Sequence, residues 1–355
     1  MERFALARTL TLGAALALLG ACAAVPPRPA PAPTVAAPPP APAPAPAPPP
    51  TPAPIPEVFE SDDFVVAIAK DGDSPESLAQ RFLGDPAKAW MIEDYNQTAT
   101  FTPGQEIVIP RRPWNPSGVD STGYQLVPVL CYHNIGPQAK GRLVLGAKSF
   151  EEQMRYLKAQ GYRAVSLKEF LEFTTLKRQL PRKTVVLTFD DGWKSFRQYA
   201  EPILKELGFT ATLFIYTDFL GARIALTWEE LKELAASGFD IQAHSKTHGD
   251  FRRKPGESDV EYTRRMEGEL VQPLALFQRN LGQTPRILAY PYGSHDDDVE
   301  RRAREAGYVA AFDVRRQGNP SFAQPLAIHR SQVYSEMSLE DFAKNLNTFN
   351  QEAIR

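Results

Sequence analysis

Residues 184–193 read TVVLTFDDGW: six apolar or β-branched residues run straight into two adjacent carboxylates. An apolar run of this length, closed by a Gly-containing turn, predicts a buried strand. An Asp-Gly turn needs only one Asp, and neighbouring carboxylates repel each other. Asp190 and Asp191 therefore stand where a strand runs out, and the second carboxylate calls for a chemical reason.

The same pattern continues on both sides. LVPVLCYH (126–133), AVSL (164–167), ATLFIY (211–216), DIQAHS (240–245), RILAYPYG (286–293) and LAIHRSQV (326–333) read as strands. Between them lie amphipathic stretches: SFEEQMRYLKAQGY (149–162), KEFLEF (168–173), SFRQYAEPILKELGF (195–209), TWEELKELAASGF (227–239) and a long helix over 259–282. Ser149 with Glu152 three residues later fits a capping box. Strands alternating with helices over about 220 residues predict an α/β fold with a parallel sheet or barrel. In such folds the carboxyl ends of the strands carry the chemistry.

Four strand ends bear groups suited to one site. Asp190 and Asp191 end TVVLTF, and His244 and His248 follow DIQA in AHSKTH. Tyr290-Pro291-Tyr292-Gly293 follows RILA, and His329 follows PLAI. Histidines at i and i+4 share a face if the segment is helical. Any one of these features is ordinary alone; their joint occurrence at successive strand ends is not. Two imidazoles and one carboxylate make a three-ligand divalent site with open positions. A second carboxylate beside it can take a proton from water, and an acid opposite can protonate a leaving amine. These roles amount to hydrolysis of an amide or ester.

TFDDG, HSKTH, YPYG and LAIH, in this order and spacing, resemble the polysaccharide deacetylases of carbohydrate esterase family 4 (NodB-like), over about residues 125–335. VPVLCYHNI (127–135) and WEELKELAASGFDIQAHSKTH (228–248) are similar to the subgroup that includes poly-N-acetylglucosamine deacetylases. The resemblance implies a distorted (β/α)7 barrel and a divalent metal, zinc first, with cobalt, nickel or manganese as alternatives. Asp191, His244 and His248 would be its ligands. Asp190 would be the general base, His329 the general acid, and the Tyr292 backbone N–H a donor to the oxyanion. Pro291 and Tyr292 would shape the pocket and His133 could line it, with a structural role as the alternative. Trp193 is placed either to stack on a sugar or to pack in the core.

Two departures stand out. The family's third motif often begins with an Arg that orients the base, and Ala289 occupies that position, so what holds Asp190 is left open. The fourth motif, an Asp with a Trp, has only a weak candidate in Asp313 of AFDVRRQG. His295 is expected in a solvent-exposed polar turn.

The formal charge of −2 over 355 residues gives no support for nucleic-acid binding. Residues 1–22 read as an export signal, and its end, LGAC, resembles a lipobox with Cys22 as the lipidated residue. That implies a lipid anchor, with the outer membrane facing the periplasm as the expected location. The other cysteine, Cys131, is expected in the core; with Cys22 acylated, no internal disulfide forms. More than half of the 33 prolines precede residue 60, and 23–57 reads as a disordered, polyproline-rich linker spanning roughly 90 Å at ~3.1 Å per residue.

Residues 58–112 have the order β-α-α-β. DGDSPESLAQRFLGD (71–85), Asn96 and FTPGQEIVIP (101–110) resemble the lysin motif (LysM), which implies binding of N-acetylglucosamine-containing glycans. Residues 113–124 read as a second linker and 125–355 as the deacetylase-like domain. The expected substrate is therefore an N-acetylhexosamine glycan, either peptidoglycan or poly-N-acetylglucosamine; protein partners are not indicated. The rival readings are a non-catalytic glycan-binding lipoprotein and an O-acetyl polysaccharide esterase.

Overall fold

The structure, a computed structural model, describes residues 58–352. The expected signal, Cys22 and the Pro-rich linker lie outside the described residues. No helix among the described residues is long and apolar enough to cross a membrane.

The first element group is small and has its own core. Strands β1 (Val58–Glu60), β2 (Phe64–Ile68) and β3 (Glu106–Pro110) form an antiparallel sheet in that order, covered by helices α1 (Pro75–Leu83) and α2 (Ala89–Asn96). Val65, Ala67, Leu78, Ile92, Ile107 and Ile109 fill the space between sheet and helices. Ser74 caps α1, exchanging hydrogen bonds with Ser77, and Gly84 ends it with φ 68°. The Asn96 side chain ties α2 to β3: its Nδ2–H donates to the Val108 carbonyl at 2.7 Å and its Oδ1 accepts from the Val108 N–H at 3.0 Å.

Residues 113–124 are folded, not a free linker. The Trp114 and Asn115 N–H groups both donate to Gln179 Oε1 at 3.0 Å. β5 (Gly123–Gln125) pairs with β4 (Val119–Asp120) on one side and with the C-terminal β16 (Phe349–Gln351) on the other. Composition alone read this Pro/Gly-rich stretch as a joint, but its Trp, Val and Tyr residues give it partners. Trp114 also packs on Trp90 and Tyr95 of α2.

The main domain follows. After β6 (Val129–Tyr132) come a short parallel pair, β7 (Asn134–Gly136) and β8 (Val144–Gly146), and α3 (Ala147–Ala159). Next are β9 (Arg163–Ala164), α4 (Leu167–Thr174), β10 (Thr184–Asp191), a π-helical turn (Phe196–Ala200) and α5 (Glu201–Leu207). They are followed by β11 (Thr212–Ile215), α6 (Trp228–Ala236), β12 (Asp240–Ala243), α7 (Asp259–Leu270) and α8 (Gln272–Leu281). The last elements before β16 are β13 (Ile287–Ala289), α9 (Asp297–Glu305), β14 (Ala310–Phe312), β15 (Ser331–Gln332) and α10 (Leu339–Ala343). The expected long helix is two, because Pro273 lacks the N–H that would continue α7. Ser149 lies inside the first turn of α3, whose N-cap is Gly146; β8 feeds directly into the helix.

The strands form a curled parallel sheet in the order β14-β13-β12-β11-β10-β6-β15, with β9 beside the start of β10. The segment around β15 draws the two ends together: Ser331 pairs with Leu130 of β6, while Ile328 bridges to Phe312 of β14. This is the α/β barrel-like class expected.

Strand parity decides what points inward. On β10, Val185, Leu187 and Phe189 pack outward under the helices, whereas Val186 joins Val129, Phe214, Ala289, Phe312 and Ile328 in the interior. Leu167, Phe170 and Phe173 of α4 belong to that interior cluster. Thr188 and Asp190 share the parity of Val186, so Asp190 ends the strand facing the interior. Asp191 turns away from this register with φ 78°.

Candidate active site

Asp190 is fully enclosed, and its partner is Arg330. The guanidinium donates Nη1–H to Oδ1 at 2.6 Å and Nη2–H to Oδ2 at 2.8 Å, a parallel two-pronged pairing. Nε–H of Arg330 donates to the Asp313 carbonyl at 3.1 Å, fixing the plane of the fork. Burial pushes the Asp190 carboxyl up, but the charges of Arg330 and neighbouring histidines outweigh it and hold it well below the usual carboxylate range. Arg330 supplies the contact that Ala289 cannot. It lies in the closing segment, two residues past Ile328 and on the same inward face.

The opposite face of the site gathers Asp191, His244 and His248, whose ligating atoms all lie within 4.8 Å of one another. His244 Nε2 is 3.7 Å from Asp191 Oδ1, and His248 Nε2 is 3.4 Å from it. His244 Nδ1 lies 2.7 Å from the Ala289 carbonyl. A carbonyl only accepts, so Nδ1 carries the proton and Nε2 presents a lone pair. Burial drives His244 down to about 4, against the pull of Asp190 and Asp191, so the ring is neutral at neutral pH. Asp191 Oδ1 is buried and has no hydrogen-bond donor.

Asp190 Oδ2 also lies 3.7 Å from His244 Nε2. Lone pairs of carboxylate and imidazole thus converge without a proton to share. Electron-rich atoms placed so could hold a cation, and two nitrogens with one oxygen suit zinc or a similar divalent ion. The residues fit the expected metal.

The two histidines do not meet by helical spacing. His244 ends β12, and the chain turns through Ser245 (φ 78°) to His248 (φ 63°). Ser245 Oγ accepts from the His248 N–H at 2.9 Å. Glu269 of α7 braces the turn, accepting from the Lys246 and Thr247 N–H groups at 3.1 and 2.9 Å and from the Thr247 hydroxyl. Of six described non-glycine residues with left-handed φ, four are here: Asp191, Ser245, His248 and Tyr292. Such backbone costs about 1–3 kcal/mol per residue and persists where surroundings enforce it. Gly192 and Gly293 are required: a Cβ would come within 3.0 Å of Ile215 and 2.5 Å of Val314, respectively.

His329 and Asp313 form a second pair, with Nδ1 3.1 and 3.0 Å from the two carboxylate oxygens. Burial raises the Asp313 carboxyl, but hydrogen bonds from His295, His329 and the Arg315 N–H hold it well below its usual range. The weak sequence candidate is therefore the partner of His329. His295 is not the exposed turn residue expected: its ring stacks on Tyr290 at 4.8 Å and lies between Glu300 and Asp313.

His133 follows β6, half-buried, with an unpartnered Nδ1, and groups with Cys131 and Asp190. Cys131 is buried as expected, with its Sγ 3.4 Å from Asp190 Oδ2. Pro291 is buried. Tyr292 is 64% exposed, its ring 4.7 Å from that of His248. The Trp193 indole N–H donates to Asp191 Oδ2 at 2.8 Å, a role that neither stacking nor core packing anticipated.

Comparison with known proteins agrees with this geometry. Residues 177–311 match the family model described as polysaccharide deacetylase. The chain is 28% identical over 212 residues to the provisionally named polysaccharide deacetylase YxkH of Bacillus subtilis, covering 60% of this chain and 73% of that protein. It is 22% identical over 294 residues to the poly-beta-1,6-N-acetyl-D-glucosamine N-deacetylase of Escherichia coli, covering 72% of this chain but only 42% of that relative. The solved structure of IcaB from Ammonifex degensii superposes with a TM-score of 0.56 at 25% identity, covering 63% of this chain and 98% of that one. Residues 177–311 are thus similar to polysaccharide deacetylases.

Proposed function

We propose that the chain is a divalent-metal-dependent N-deacetylase of an N-acetylglucosamine polysaccharide. The observation that carries this reading is the division between the adjacent aspartates: Asp190 is clamped by Arg330, while Asp191 presents a free oxygen to two imidazoles.

Asp191, His244 and His248 would hold the ion, which would supply Lewis acidity toward the acetamide carbonyl and water. Asp190, kept ionised by Arg330, takes the proton from the attacking water. The water oxygen bonds to the acetamide carbon, and the Tyr292 N–H donates to the carbonyl oxygen as charge develops there. His329, oriented by Asp313, delivers a proton to the nitrogen as the C–N bond breaks. Acetate and a glucosamine unit result. Pro291, Tyr292 and His133 would border the sugar.

The names of the Escherichia coli and Staphylococcus aureus relatives favour poly-N-acetylglucosamine over peptidoglycan. The resemblance of residues 58–112 to a LysM module suits a second grip on the same kind of polymer, and a lipid on Cys22 would tether the enzyme in the cell envelope, at the outer membrane. Against the non-catalytic reading, the Arg missing at position 289 has a substitute in Arg330. The test is acetate release from poly-N-acetylglucosamine, chitin oligomers and peptidoglycan with zinc or cobalt added. Release from the first in excess of the others is expected; release from none overturns the proposal.

A further inference from the structure

We propose that Trp193 is a positioning residue for Asp191: its indole N–H occupies one carboxylate oxygen so that only the other is offered to a cation. The inference rests on reading Asp191, His244 and His248 as metal ligands. Nε1–H of Trp193 donates to Asp191 Oδ2 at 2.8 Å, while Oδ1 faces His244 and His248 with no donor of its own. Asp191 is the last residue of β10 but stands at φ 78°, off the strand's regular alternation, so strand parity does not fix its side chain. A carboxylate free to rotate there would switch between one-oxygen and two-oxygen binding.

Trp193 is itself held firmly. Its backbone bridges to Ala225, the Gly192 carbonyl accepts from the Leu226 N–H at 2.9 Å, and the Lys194 N–H donates to the Ile224 carbonyl at 3.0 Å. Its ring meets Phe219 edge-on at 4.8 Å; Phe219 stacks on Tyr216, which contacts the His248 ring at 5.2 Å. One aromatic row thus touches Asp191 at one end and His248 at the other. Indole chemistry suits this position. It donates one hydrogen bond, offers no lone pair that would compete for a metal, and carries no positive charge that would repel one.

Groups that orient metal ligands are commonly worth tenfold to hundredfold in metal affinity. The test compares the full chain with Trp193→Phe and with benzothienylalanine at position 193, an isostere with sulfur in place of the indole N–H. Zinc affinity of the metal-stripped proteins is measured by chelator competition, alongside metal-free thermal unfolding and the visible spectrum of the cobalt form. The inference predicts a tenfold to hundredfold loss of zinc affinity in both variants, an altered cobalt spectrum, and an unchanged metal-free Tm for the isostere. In an Asp191→Ala background, adding Trp193→Phe should change affinity less than twofold. Wild-type affinity in the isostere overturns the inference while leaving the metal site intact. Failure of the wild-type chain to bind zinc or cobalt overturns the metal-site reading first and this inference with it.

Discussion

Arg330 grips Asp190 through two parallel hydrogen bonds of 2.6 and 2.8 Å, both side chains being buried in the barrel interior. Replacing Arg330 with Met strands a buried carboxylate, which typically costs about 3–5 kcal/mol. Arg330→Lys keeps the charge but loses the fork. Because Arg330 depresses the Asp190 pKa, its stabilising effect is present above the unfolded carboxylate value and fades as pH falls toward the folded one. Arg330→Lys should therefore move the acid limb of the kcat/KM profile to higher pH. An unmoved limb in a folded variant would mean that Arg330 does not tune the base.

Asp313 and His329 should behave as a unit. Asp313→Asn is expected to lower kcat by about tenfold to a hundredfold, and His329→Ala by about a hundredfold or more. Little further loss should appear in the double variant. His133→Ala should cost less than His329→Ala; the reverse order in steady-state kinetics would transfer the acid role to His133.

Glu269 touches no candidate ligand, yet it braces the turn between the two histidines. Glu269→Leu leaves the two N–H groups without that acceptor, a loss of about 1–3 kcal/mol, and should weaken zinc binding. Glu269→Gln should retain most of both. Calorimetric unfolding and zinc titration of the two variants check this.

A pH effect is expected away from the chemistry. Asp94 of α2 accepts the Arg182 N–H at 2.9 Å, and burial raises its pKa to about 6. A raised acid stabilises the folded state most below its unfolded pKa, near 3.8, and that contribution is lost as pH climbs through about 6. Asp94→Asn should therefore gain stability over wild type on going from pH 5 to 7.5, on the order of 1–2 kcal/mol. Equal differences in Tm at the two pH values would contradict the assignment. A cleft of about 720 Å³, lined in part by Trp90, Asp94, Arg163 and Arg182, lies by this contact. It is at the strand ends opposite Asp190.

The chemistry-bearing strand ends were legible because each carries its signal locally: an apolar run, then Asp190-Asp191, His244 or His329. Long-range pairing was not. Arg330 meets Asp190 across 140 residues only because the segment around β15 closes the sheet, although a lone Arg in an apolar closing run was a usable cue. The spacing of His244 and His248 was readable but its cause was not. Two left-handed residues and a carboxylate from α7, rather than a helical turn, bring the imidazoles together. His295 looked like a surface residue because the turn that stacks it on Tyr290 and the later strand that brings Asp313 to it show only in the fold.

The most direct measurement compares Asp190→Asn with Asp191→Asn for metal content and acetate release on the same glycan. Asp190→Asn should keep wild-type metal occupancy while losing about 10²–10⁴-fold in rate, whereas Asp191→Asn should lose both. Undiminished acetate release by Asp190→Asn, or full metal occupancy in Asp191→Asn, would contradict the division of labour between the two aspartates.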